Sequence, residues 1–208
     1  MDSIVATRRG RGVGIARAGH EWPAYPHEVA NATQEDYGRE ITMLVREITM
    51  DIQGLGMILY SPPAVSHIPR GADYLKEHFT EPAEVARQVM ECQLTTFCTG
   101  SPGIFHVRFA NGPRDEEAVE NAKFKLRLGL QVQAETICVR DLYDLMEWLP
   151  ECPPKQQVAV EDGWYRLTVF SSPPQSGIIG DGQVIDIHLE PMETKPPLRW
   201  DGFPLLCD

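Results

Sequence analysis

Nothing in the 208 residues is apolar for long enough to cross a bilayer: the longest stretches, such as Leu55 to Tyr60, fall far short of the roughly 20 residues a spanning helix needs. No membrane partner is expected. Met1 to Gly19 offers no signal-peptide core, because Arg8, Arg9, Arg11 and Arg17 interrupt every apolar stretch. Cysteine is sparse. Cys92, Cys98, Cys138, Cys152 and Cys207 form an odd, irregularly spaced set without a C-x-x-C pair, which argues against a disulfide framework or a zinc ribbon and makes a reducing cytoplasm the expected location. Basic residues are also short: 19 Lys and Arg against 30 Asp and Glu leave a formal charge of -11. That balance disfavours a protein that must itself neutralise phosphates, and it favours a basic protein partner over direct contact with nucleic acid.

The remainder is ordinary for a folded chain, with 42% hydrophobic and 24% charged residues, and its 17 Gly and 17 Pro punctuate it into many short elements. Strict alternation is the clearest pattern. Phe124, Leu126, Leu128 and Leu130 point one way and Lys123, Lys125 and Arg127 the other, the period of a half-buried strand. Phe105-Val107-Phe109, Tyr165-Leu167-Val169 and Ile185-Ile187-Leu189 repeat it, and Gln156 to Val160 reads as a further short strand. Gly103 and Gly163 open two of these runs, which read as outgoing hairpin strands, so the C-terminal third is expected to be a meander. Glu81 to Glu91, with Pro82 early and Val85, Val89 and Cys92 in a stripe, predicts a helix. Asp141 to Leu149, with Leu142, Leu145, Met146 and Leu149 on one face and Pro150 after it, predicts a second. Arg39 to Ile52 fits either period; the β-branched content of its second half favours strand there.

These elements define an α+β, β-rich fold: mainly antiparallel sheets packed as a sandwich, with two or more short helices. An irregular leader over residues 1–38 is expected to precede one β-rich domain over 39–208, ending in a proline-rich tail at 191–208. The order helix, strand, glycine turn, strand, loop, strand occurs twice, which suggests a two-fold repeat with halves near 39–130 and 131–195. Chance recurrence of hairpins that share turn chemistry explains the same order equally well.

No motif carries catalysis. Gly12-Val-Gly14 lacks the third small residue and the preceding buried strand of a dinucleotide fingerprint. Gly177 to Gly182 leads into a strand rather than a helix, so it cannot cradle phosphate at a helix N-terminus. Ser101, followed by proline, is no nucleophile elbow. The six histidines include no i,i+4 pair and no HExxH, so neither a metal nor any other cofactor is expected. Asp186 and His188 share a strand face, where the carboxylate could orient the imidazole as a general base, but two solvated polar residues account for that spacing more simply. Cys92 and Cys98 have no basic residue at a defined spacing and read as small buried hydrophobes.

The acids are distributed in clusters. Asp115, Glu116, Glu117 and Glu120 fall in one loop, Asp141, Asp144 and Glu147 along the second helix, and Glu161 and Asp162 in a turn. Together they predict an electrostatically steered surface for a basic partner, with Trp200 of the proline-rich tail either anchoring that partner or clamping a neighbouring edge strand. Each cluster alone is equally accounted for as a solvated surface.

The stretch Val158-Ala-Val-Glu-Asp-Gly-Trp-Tyr-Arg-Leu-Thr-Val-Phe170, followed by Val184-Ile-Asp-Ile-His-Leu-Glu-Pro191, resembles bacterial immunity proteins of the polymorphic-toxin or type VI secretion kind, in the style of nuclease-toxin inhibitors. The resemblance implies a cytoplasmic antitoxin, not an enzyme, that binds a cognate basic nuclease toxin and occludes its active site or substrate groove. It carries over no catalytic residue. A non-inhibitory binding or scaffolding module is the alternative, favoured if the acidic clusters lie on opposite faces; an enzyme would need a concave pocket with convergent titratable groups.

Overall fold

The computed structural model describes residues 43–112 and 115–206. The expected leader, 1–38, and the Gly12-Val-Gly14 turn lie outside the described residues. Two sheets form the fold of the described residues. The first orders five strands as β1 (Met43–Ile52), β4 (Gly103–Asn111), β9 (Asp181–Met192), β8 (Gly163–Ser171) and β5 (Phe124–Val132). Its neighbours are antiparallel except β4 and β9, which run parallel. The second, wholly antiparallel, orders β3 (Leu94–Cys98), β2 (Gly56–Tyr60), β6 (Thr136–Asp141) and β7 (Gln157–Ala159). Among the described residues three α-helices accompany them: α1 (Tyr74–His78), α2 (Pro82–Glu91) and α3 (Glu116–Asn121). The expected β-rich sandwich with short helices is what the chain builds.

One core lies between the sheets. The alternating runs place Ile48, Met50, Phe105, Val107, Phe109, Leu128, Leu167 and Ile187 on the inner face of the first sheet. Met57, Leu59, Phe97, Ile137 and Val139 join them from the second. The other face of the second sheet is covered as well: Tyr60 meets the Trp148 ring edge-on at 5.3 Å between centroids, and the Arg140 guanidinium lies 5.0 Å from the same ring. Burial on both faces explains why Gly56–Tyr60 and Thr136–Asp141 carry no alternation and escape a period-two reading.

Several expectations change. The predicted hairpins across Gly103 and Gly163 are crossings: β3 and β7 belong to the second sheet, and β4 and β8 to the first. The C-terminal third is therefore no simple meander, because β9 also enters beside β4, with Ile104 N donating to Gly180 O at 2.7 Å. Gly103 and Gly180 both have positive φ there, and a Cβ on Gly180 would stand 2.6 Å from the Pro102 carbonyl oxygen. The predicted helix over 141–149 shrinks to a 3-10 turn, Leu142–Leu145. Asp141 already ends β6, and burial of Trp148 and the approach to Pro150 leave no room for a longer helix. Residues 116–121, expected in a loop, form α3, capped by the Asp115 carboxylate on Ala118 N at 3.0 Å.

The strand order has an internal symmetry. β1-β2-β3-β4 and β5-β6-β7-β8 each run long, short, short, long, and occupy equivalent places in the two sheets, with β9 inserted between β4 and β8. This equivalence covers 43–111 and 124–171, a different frame from the halves 39–130 and 131–195.

Candidate functional site

The inner face of the first sheet is spent on the core, so its chemistry lies on the outer face. Pleating projects Glu47 and Thr49 from β1, His106 and Arg108 from β4, Asp186, His188 and Glu190 from β9, and Arg166 and Thr168 from β8. Cross-strand register pairs opposite charges. Arg108 Nε and Nη2 donate to the two Asp186 carboxylate oxygens, each at 2.8 Å, and Asp186 raises the Arg108 pKa. Arg166 makes the same fork with Glu190, its Nε 2.9 Å from Oε2. Thr49 Oγ1 lies 3.2 Å from His106 Nδ1, and Glu47 approaches that nitrogen at 3.9 Å.

Two open clefts lie on this face, and α3 borders both. One, of about 840 Å³, has Arg108 and Asp186 among its lining residues and the 172–176 segment along its side. The other, of about 780 Å³, is lined by Val45, Glu116, Glu161, Arg166, His188 and Glu190, among others. The second cleft is acidic, with three carboxylates against one guanidinium. His188 is buried beside it; its Nε2 donates to the Gly112 carbonyl at 2.6 Å, while Nδ1 is buried with no hydrogen-bond partner among the described residues. Asp186 is committed to Arg108 and does not orient the imidazole, and of the two residues read as solvated His188 is buried instead. Among the described residues no group of three His, Cys, Asp or Glu side chains could hold a metal ion, and no helix is long and apolar enough to cross a membrane.

The predicted acids divide into two sets. Glu116 and Glu161, distant in sequence, meet at the second cleft, with Asp115, Glu117 and Glu120 on or beside the helix that carries Glu116 and Asp162 next to Glu161. Asp144 and Glu147 belong instead to the layer behind the second sheet, and Asp141 to the end of β6. Asp144 accepts from Arg140 Nε at 2.7 Å, and Asp141 accepts the backbone N–H groups of Gln53, Gly54 and Tyr143 at 2.6, 2.9 and 2.9 Å. Several of these acids also hold backbone: Asp162 accepts Glu135 N at 2.6 Å, joining the turn before β8 to the turn after β5. Trp200 takes the clamping position, its Nε1 donating 3.1 Å to Arg127 O on the edge of β5 while its ring packs partly buried against the core. Glu190 and Arg166 are not singled out by sequence, because their pairing depends on the register of β8 against β9; the one signal is their polar place in alternating runs.

No protein-family model matches the chain, and no curated protein matches it. Two solved structures are similar in backbone. One is ComJ from Bacillus subtilis, described as an inhibitor of the DNA degrading activity of NucA: 11% identity over 73% of this chain and 99% of ComJ, with a TM-score of 0.47. The other is the product described as crocagin biosynthetic gene J: 13% identity over 71% of this chain and 97% of that one, with a TM-score of 0.45.

Arg108 and Arg166 are tied into ion pairs and the buried His188 imidazole is bonded to backbone. Carboxylates outnumber guanidinium at the rim of the second cleft, where they can meet a partner's lysines and arginines.

Proposed function

We propose that the protein is an immunity protein, an antitoxin acting in the cytoplasm, that neutralises a cognate nuclease toxin by presenting the outer face of its five-stranded sheet to the toxin's basic substrate groove. One observation carries this reading: Glu116 and Glu161, from segments far apart in sequence, converge on one cleft with Glu190. A nuclease is basic where it holds phosphate, so a carboxylate-lined surface competes for the same side chains. Long-range attraction raises the association rate above the roughly 10⁵–10⁶ M⁻¹s⁻¹ of neutral pairs, while burial of apolar groups such as Val45 sets the lifetime. The reading does not rest on the likeness to ComJ, whose backbone agrees too loosely to transfer a function. Delivery of the toxin by a type VI system is part of the proposal through the sequence resemblance alone.

The test is association with the basic nuclease encoded beside this gene, followed by stopped-flow at increasing salt. A one-to-one complex is expected, with an on-rate that falls as salt rises. The double variant Glu116→Gln, Glu161→Gln should slow association roughly tenfold with little change in dissociation. No complex, or a salt-independent on-rate, removes the proposal. A non-inhibitory scaffolding module is the second reading, favoured by the separate position of Asp141, Asp144 and Glu147; a stable complex in which the nuclease remains fully active would establish it instead.

A further inference from the structure

Behind the second sheet, away from the acidic cleft, two thiols are brought together. Cys138 lies on β6 opposite Gln157 of β7, and Gln157 reaches back with Nε2 to the Cys152 carbonyl at 2.7 Å. This holds the 150–156 connection over β6. The Cys152 Sγ sits 3.7 Å from Gln156 O and 3.8 Å from Pro153 O, next to the residue that pairs with Cys138, so the two cysteine side chains are neighbours. Cys138 is buried, Cys152 is half-buried, and both are free thiols. Arg140, two residues after Cys138 on the same strand face, adds a positive charge nearby.

The two sulfurs differ in the way a reactive pair requires. The neighbouring Cys138 holds the Cys152 thiol below its ordinary range; burial opposes this and Arg140 assists it. Cys138 is pushed up, by the neighbouring Cys152 and by burial. Cys92 is the contrasting case: fully buried at the left-handed end of α2, it is raised to about 11 by burial and has no thiol neighbour among the described residues to resolve an oxidised sulfur.

We propose that Cys152 and Cys138 form a peroxide-sensitive pair, with Cys152 the attacking sulfur and Cys138 the resolving one, which closes to a disulfide between β6 and the 150–156 connection. The steps balance with hydrogen peroxide as oxidant. The Cys152 thiolate attacks one peroxide oxygen, the O–O bond breaks, and hydroxide leaves, giving a sulfenic acid. The Cys138 sulfur then attacks the Cys152 sulfur; the S–O bond breaks, and the hydroxyl leaves as water with the Cys138 proton. One peroxide is reduced to two oxygens at the level of water, and two thiols are oxidised to one disulfide.

The experiment uses the full, reduced chain treated with a limiting amount of hydrogen peroxide, then alkylated, digested and mapped by mass spectrometry. The first product expected is a Cys138–Cys152 linked peptide, lighter by two hydrogens and restored by dithiothreitol, with Cys92 still alkylated after unfolding. In Cys138→Ser, Cys152 should stop at the sulfenic acid and be trapped by dimedone. In Cys152→Ser, a change at the half-buried position that spares the core, loss of the Cys138 thiol should slow roughly tenfold, as a buried protonated thiol reacts poorly. The proposal is overturned if the first product in the wild-type chain is a Cys152 sulfinic acid, oxidation of Cys92 or Cys98, or a Cys207-linked dimer, or if Cys138 oxidises equally fast in Cys152→Ser.

Discussion

Asp141 shows how a single side chain can be reassigned by its surroundings. As one acid in a run of acids it is a candidate for a partner's lysine; in the fold its carboxylate instead gathers Gln53 N, Gly54 N and Tyr143 N, fixing the turn between β1 and β2 to the end of β6. Gly54 is constrained from the same side, since a Cβ there would run into the Asp141 carboxylate and the Tyr143 ring. Charge-assisted hydrogen bonds of this kind contribute more than neutral ones, and their loss leaves three donors to find water. Asp141→Ala should lower unfolding stability by about 2–3 kcal/mol in urea titration, and Asp141→Asn, which keeps one acceptor oxygen, by clearly less. A cost below about 0.5 kcal/mol would mean that water replaces the carboxylate. Nothing in the local sequence announces this role, because Gln53 and Asp141 are 88 residues apart. The capping of α3 by Asp115 is the opposite case: Asp followed by Glu-Glu-Ala is a helix start legible in sequence, although the segment reads first as an acidic loop.

The elements at risk are the sheet edges. A free edge offers unpaired N–H and C=O groups to any other strand, and this chain covers part of two of its edges with its C-terminal segment and the end of α2. Cys98 N donates to Pro204 O at 2.8 Å and Leu206 N to Cys98 O at 2.9 Å, closing β3. On β5, Gln131 N donates to Cys92 O at 2.7 Å, and Trp200 Nε1 covers Arg127 O. Gly129 lies beneath this cover, where an added Cβ would meet Cys92 Sγ at 2.5 Å and Leu198 at 3.0 Å. Trp200→Ala should cost about 1–3 kcal/mol through lost burial and the lost hydrogen bond, lowering the urea midpoint at constant slope, and should raise the tendency to self-associate on heating. An unchanged midpoint would place Trp200 outside the fold's support and return it to the role of a partner anchor. The strands β4, β5, β8 and β9 are legible in sequence because each is wet on one face; β2 and β6, dry on both, are not.

For the whole molecule, the net charge matters less than its division between two layers. The set around the cleft, Glu116 and Glu161 with Glu117 and Glu120 on the same helix as Glu116, stands on the outer face of the first sheet. Glu147 lies behind the second sheet, beside the buried Trp148. If steering comes from the cleft side, Glu147→Gln should leave the association rate with a basic nuclease within about twofold of wild type, whereas neutralising Glu116 and Glu161 slows it. Equal effects from both changes would show that only the total charge is felt, and would remove the cleft as the docking face.

The sequence by itself determined the β-rich class, the inner faces of the alternating strands, the first long helix and the excess of acid, because each of these is written in short-range periodicity or in composition. Tertiary structure alone decided the parallel entry of β9 beside β4, the crossing between sheets at Gly103 and Gly163, the placing of Cys138 and Cys152 as neighbours, and the convergence of Glu116 and Glu161 on one cleft. Those depend on strand register and on contacts between distant segments, which are set by packing a common core rather than by any local preference.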